Sequence, residues 1–338
     1  MHGLIDTDKF SSALRAKSLD TANRRLLITR LGGSEQENDF TVPANCGGLG
    51  RIRHFKRDTP IGWPANPLPI DPASRALNLS PHDSIRAQVF QNASCNWRCW
   101  YCYVPFSLLN GDPSKAEWVS AGELIDRYLE VDDRPSVIDL TGGQPDLVPE
   151  WVPWMMEELQ ARGLQDEVYL WSDDNLSNDF FWRYLSEAER EVVEGYRNYG
   201  KVLCFKGFDN ESFEFNTRAE GSLLDRQFGL CDRYLQTQID VYGYATFTTP
   251  SRTDLARKMG RFVDKLQSLA VNLPLRVIPL EIRSFTPVSD RMTAVHRDAI
   301  ENQSVAIDAW KNELSKRFSS AEMALNICDI QPRSEVAS

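Results

Sequence analysis

From residue 84 onward the apolar positions gather into short β-rich runs separated by stretches with helical spacing. SIRAQVF (84–90), SVIDL (136–140), EVYLW (167–171), KVLCF (201–205), IDVYGYATF (239–247) and LRVIPLEI (275–282) read as strands. Between the first two, Ser120 and Glu123 have capping-box spacing ahead of Leu124, Ile125, Tyr128 and Leu129, which predicts a helix start. A second helix is expected from Glu150 to Arg162 with Gly163 as its stop, and the apolar density of WVPWMMEEL inside it reads as helix core. Strands alternating with helices point to βα units and a parallel sheet. Pro279 cannot donate to a ladder, so the sixth strand belongs at an edge.

The flanks have a different texture. Residues 1–40 are polar, with a short helix expected around Ala13 to Leu31. Residues 41–83 carry much of the proline, which argues against a helix or a central strand there. Trp63, Leu68 and Ile70 give that segment something to bury, so it reads as an ordered wrap. A last helix is expected over roughly Asp290 to Phe318, before a tail, Ser334 to Ser338, that should fray. The expected organisation is an N-terminal extension (1–83), a core (84–285) and a C-terminal helical extension with its tail (286–338).

With 338 residues and 42% hydrophobic content the chain can bury a sizeable core. A formal net charge of -10 argues against a phosphate-backbone partner, although a local basic groove is compatible with it. No stretch has the apolar run of a membrane span, and the amino terminus lacks an apolar core, so the expectation is a soluble, cytoplasmic protein without a membrane partner. Seven cysteines are an odd number, and Cys46, Cys204, Cys231 and Cys328 lie far apart, which speaks against a disulfide framework and for buried thiols.

In parallel α/β folds chemistry gathers at the carboxyl ends of strands. Here the unusual residues do follow the strands: three cysteines after the first, GGQPD after the second, SDDN after the third and KGFD after the fourth. Cys95, Cys99 and Cys102 form C-x3-C-x2-C within QNASCNWRCWYCYVP. Two metals could use three such thiolates. Structural zinc would need a fourth ligand from His82, His54 or Cys46, none at a customary interval, in a scaffold or binding protein. An iron-sulfur cubane would leave one iron open to a small molecule. His54, His82 and His296 are otherwise isolated, and NCGGLGR (45–51) lacks the features of a phosphate loop; it could instead fold near the cysteines and shield them.

The spacing C-x3-C-x2-C, with Tyr101 just before the last cysteine, resembles the signature of the radical S-adenosylmethionine (SAM) superfamily. That resemblance implies a partial (β/α)6 TIM-type barrel with a [4Fe-4S] cluster on Cys95, Cys99 and Cys102. It further implies SAM on the open iron and reductive cleavage to a 5'-deoxyadenosyl radical that abstracts hydrogen from a substrate. TGGQPDL (141–147) is similar to the family's GGEP motif, so Gly142, Gly143, Gln144 and Pro145 would hold the methionine ammonium, with Gln144 standing where glutamate is usual. VYLWSDDN and VLCFKGFD resemble the strand ends of the glycyl-radical activase branch, related to the pyruvate formate-lyase activating enzyme. By that likeness Lys206 would meet the SAM carboxylate, and Ser172, Asp173 or Asn175 the ribose or amino acid; Cys204 stands where that branch has aspartate.

The resemblance implies an electron donor such as flavodoxin or ferredoxin. The substrate is left open: a small molecule, a peptide, or a protein backbone as for an activase. No second close-spaced cysteine group follows residue 102, which weighs against a peptide-maturing enzyme with auxiliary clusters.

Overall fold

The computed structural model describes residues 3–333; the expected fraying at Ser334 to Ser338 lies outside them. Strands β1 (Leu19–Asp20) and β2 (Arg25–Thr29) are followed by β3 (Gly50–Lys56) and β4 (Ser84–Phe90). Then come β5 (Ala116–Ser120), β6 (Val137–Leu140), β7 (Tyr169–Asp174), β8 (Tyr199–Phe205), β9 (Asp240–Thr246) and β10 (Val277–Leu280). Seven of them form one curled sheet in the order β10-β9-β8-β7-β6-β4-β3. Every pair from β4 to β10 in that order is parallel, and β3 runs antiparallel to β4, from Gly50 opposite Phe90 to Lys56 opposite Ser84. The strand with Pro279 takes the edge, where its missing donor costs nothing.

Parallel strands are covered on both faces, and β6 and β8 are buried throughout. Because side chains alternate, Ile138, Leu140, Leu170, Leu203 and Phe205 face the surrounding helices, where Met155, Met156, Phe228 and Phe262 meet them. Val137, Tyr169, Trp171, Val202, Tyr242 and Tyr244 face the concave side. Ser120 and Glu123 form the expected capping box, and the helix Trp151–Ala161 ends before Gly163 at φ +68°.

Two expectations for the flanks need correction. The first helix occupies Thr7–Ser18 rather than Ala13 to Leu31. The consecutive apolar residues Leu26, Leu27 and Ile28 belong to β2 instead, where alternation sends Leu27 into one apolar cluster and its neighbours into another. β2 pairs with β1 and β5 in a separate antiparallel sheet. The proline-rich segment also holds more regular structure than expected. GRIRHFK lies between prolines and forms β3, and the helix Ile70–Ala76 accommodates Pro72 in its first turn, where no intrahelical N–H bond is lost.

Leu68, Ile70 and Ala73 lie buried against the concave face beside Phe55, and the Trp63 indole donates to the Pro279 carbonyl at 3.0 Å. Truncating Ile70 therefore opens a cavity in the core. Ile70→Ala is expected to lower unfolding free energy by about 2–5 kcal/mol, read from urea denaturation. A change near zero would show that this segment is not integral to the fold.

Candidate functional site

Aromatic residues at the amino end of the concave face give way to polar ones at the carboxyl end: Asp139 and then Thr141, Asp173, Lys206 and Thr246. The cysteine loop leaves β4 at that end. Its tryptophans anchor it. Trp97 is buried edge-on to Phe213 at 5.2 Å with its indole donating to Thr7 Oγ1 at 3.0 Å, and the Trp100 indole donates to Asn216 Oδ1 at 3.0 Å. Arg98 donates to the carbonyls of Cys95 and Trp97, and Arg291 to that of Cys102. What the anchored loop leaves half-buried is Cys95, Cys99 and Cys102, all free thiols. Burial pushes the Cys99 thiol up to about 12, with Lys206 opposing it and Cys95 and Cys102 adding to it. Cys102 is raised for the same first reason.

Across from the thiols stands Lys206. Burial works against its charge, but Cys204, Tyr101, Cys99 and Asp173 outweigh that and hold its pKa well above the ordinary lysine value. Its backbone is bonded to Gln227 and Asn216, while its ammonium has no partner among the described residues. Tyr101 is buried with its hydroxyl 3.1 Å from Thr246 Oγ1. Asp173 is half-buried on the concave side and accepts from Thr141.

The 142–147 loop is clamped onto the segment preceding Cys95. Gln144 N donates to the Ser94 carbonyl at 2.7 Å, and Asn92 Nδ2 to the Gln144 carbonyl at 2.8 Å. Gly142 and Gly143 take φ +77° and +67°, and a Cβ on Gly143 would collide with the carbonyl oxygens of Asn92 and Ser94. The glycines thus allow two backbones to lie in contact.

Three expected side chains turn away from this mouth. The Gln144 amide is engaged inside the fold, donating to Asp174 Oδ1 at 2.8 Å and accepting from Asn175 N at 2.9 Å. Ser172 faces the helical layer, 2.7 Å from the Tyr199 hydroxyl, because alternation puts Asp173 on the concave side and its neighbours on the other. Asn175 bonds Asn96 and caps its own turn through Ser177 N. Cys46 lies in the outer apolar layer, pushed up to about 12 by burial, with Arg127 and Glu130 as its charged neighbours rather than the other thiols.

Sequence reasoning missed two buried ionic groups. In the helical layer Lys201, 1% exposed, donates to Asp146 Oδ1 at 2.8 Å, and the Tyr234 hydroxyl donates to Asp146 Oδ2 at 2.7 Å. Asp174 lies 3.9 Å from the same ammonium. Burial, then the Asp146 charge, push Asp174 up to about 8, which favours a proton on one of the two carboxyls that flank the lysine. On the concave side Arg53 reaches Asp139 at 3.4 Å; burial, then Asp173, push Asp139 up to about 8. A charge inside an apolar run, VIDL or KVLCF, is the signal that would have found both.

Among the described residues no three His, Cys, Asp or Glu side chains close around a single ion, and no helix is long and apolar enough to cross a membrane. A cubane needs no such convergence, since each ligand binds its own iron corner.

No family model matches the sequence, and no curated protein matches it. Among solved structures the chain is similar to Streptococcus suis SuiB bound to precursor peptide SuiA, at 13% identity and a TM-score of 0.37, over 54% of this chain and 36% of that one. SuiB bound to S-adenosylmethionine gives 15% identity, a TM-score of 0.36, and 52% and 36% coverage. The match thus spans little more than a third of SuiB.

Removing one partner of a buried pair strands the other, so Lys201→Ala should cost about 3–5 kcal/mol, measured by denaturant unfolding; a loss below about 1 kcal/mol would contradict the network. Asp139 and Asp174 keep protons in the folded chain at pH values where the unfolded chain has lost them. Their contribution to stability should therefore fall as pH rises from about 4 to 8, and Asp139→Asn should flatten that slope. An unchanged slope in melting temperature against pH would refute the assignment for Asp139.

Proposed function

We propose that this chain is a radical SAM enzyme on a partial six-stranded (β/α) barrel, with a [4Fe-4S] cluster held by Cys95, Cys99 and Cys102. One observation carries the reading: three partly accessible thiols of a C-x3-C-x2-C loop face a lysine ammonium that has no hydrogen-bond or ion-pair partner among the described residues. Cations lower the cost of forming thiolates, and Lys206, Arg98 and Arg291 all lie close enough to contribute. The donor set suits iron-sulfur ligation.

When bound, the reduced cluster and SAM supply a 5'-deoxyadenosyl radical able to abstract hydrogen from carbon. The chain's own residues bind and position. Lys206 receives the methionine carboxylate, Asp173 accepts from ribose hydroxyls, and the backbone of Gly142 and Gly143 approaches the ammonium. Gln144, Ser172 and Asn175 act one step removed, fixing the loops that present those groups. Tyr101 and Trp100 wall the loop from water, with Trp100 stacked on His296 at 4.6 Å.

A zinc-stabilised scaffold is the reading of another class, and none of its three candidate fourth ligands is placed with the thiols. Cys46 sits with Arg127, while His54 and His82 are exposed.

Anaerobic purification should give brown protein with about four irons and four sulfides. Cys99→Ala should lose the iron while keeping its circular dichroism. Lys206→Ala should keep the iron and bind SAM at least about tenfold more weakly, the worth of one charge-assisted hydrogen bond. Colourless protein with one zinc, or unchanged SAM affinity in the Lys206 variant, would defeat the respective assignment.

A further inference from the structure

We infer that the concave face carries a second ligand site, an anion subsite built by Arg51 and Arg53 that takes a carboxylate or phosphate group of the molecule acted upon. Arg51 is only 9% exposed, yet its single side-chain hydrogen bond among the described residues is to the Tyr103 hydroxyl at 3.3 Å. The rings of Phe40 and Tyr103 flank it at 5.5 and 5.3 Å, no carboxylate pairs with it, and its buried Nε has no partner. A guanidinium removed from water without a counter-ion is costly, and the remedy is an anion.

Arg53 follows two residues later on the same face of β3, about 7 Å along the strand. Its side chain is 31% exposed, so the pair is open to solvent on one side. Its one ion-pair partner among the described residues, Asp139, stands at a long 3.4 Å, and Asp139 Oδ1 is fully buried with no partner. Burial pushes Asp139 up to about 8, which weakens its service as a counter-ion, and Asp173 acts on Arg53 only at longer range, so Arg51 has no carboxylate partner and Arg53 has one at a long distance. Two guanidinium forks beside an unfilled carboxyl suit a doubly bonded anion whose carrier also offers a hydrogen-bonding group.

The two arginines and Lys206 rise from different strands of the curled sheet, β3 and the end of β8, with β4, β6 and β7 between them. Asp173 lies between, within electrostatic reach of both Arg53 and Lys206. That the anion belongs to the substrate rests on the SAM reading; the binding of an anion does not.

Inorganic phosphate and malonate are the probes, titrated by calorimetry into anaerobic cluster-loaded protein with saturating SAM, and again into the cluster-free chain. One probe should bind saturably in both states. Phosphate would mark a phosphorylated substrate and malonate a carboxylate. Arg51→Gln and Arg53→Gln should each weaken that probe at least about tenfold, Arg53→Lys less, all with unchanged SAM affinity. The proposal is overturned if neither probe saturates, if the glutamine variants bind like wild type, or if they lose SAM together with the anion. Saturable, arginine-dependent binding to a chain that takes up no iron would sustain the subsite while the radical reading fell.

Discussion

A lysine shut out of water sets the geometry of the whole carboxyl end of the sheet. Lys201 belongs to β8, Asp146 closes the 142–147 loop, and Asp174 ends β7, so one ammonium ties three consecutive segments together. Desolvation makes such a group tolerable only when its charge is matched and its hydrogen bonds are filled. The matching is local: two carboxyls, of which burial raises Asp174, and the Tyr234 hydroxyl. Shifting either loop would leave a buried charge without its partner. The 142–147 loop in turn grips Ser94, the residue before the first cysteine of the cluster motif. Rigidity thus passes from the helical layer to the thiols through hydrogen bonds that never reach solvent.

The mouth reverses the sign of the molecule. A chain with net charge -10 sets Lys206, Arg98 and Arg291 beside the three thiols, and Arg51 and Arg53 on the same concave face, against half-buried Asp173 and a carboxyl, Asp139, that burial pushes up to about 8. Three thiolates would be costly in an acidic surrounding, whereas here they would meet cations on several sides. The apolar floor of Tyr169, Trp171 and Tyr242, sealed by Leu68 and Ile70, excludes water from beneath. A dry floor and a cationic rim suit a site that must bind anions and shield a reactive carbon centre.

The parallel strands were legible because covered strands write continuous apolar runs, and Pro279 marked its own edge. The cysteine loop was legible because close spacing needs no tertiary information. The first helix was misread since Leu26, Leu27 and Ile28 fit a helix stripe and a two-sided strand alike, and only the pairing with β5 decides. β3 was hidden by its proline-rich surroundings. Ser172 and Asp173 could not be told apart by type, because which of two adjacent polar residues faces a ligand depends on strand phase. Arg51 and Arg53 carried no signal in their own stretch of sequence; their meaning comes from β3 lying across β4 from Asp139 in a sheet assembled from distant sequence.

Gln144 illustrates how packing selects a residue that a motif alone leaves unexplained. With glutamate at this position, a carboxylate would stand where the amide nitrogen now donates to Asp174 Oδ1 at 2.8 Å. Three acidic side chains would then share the single ammonium of Lys201, and like charges at such range cannot all ionise. The amide avoids this, since its nitrogen satisfies Asp174 and its oxygen satisfies the Asn175 backbone. A lysine buried in β8, with Asp146 and Asp174 around it, and a glutamine in the neighbouring loop are thus one electrostatic solution. On the proposed reading, an ammonium at this loop would be met by backbone dipoles rather than by a side-chain charge.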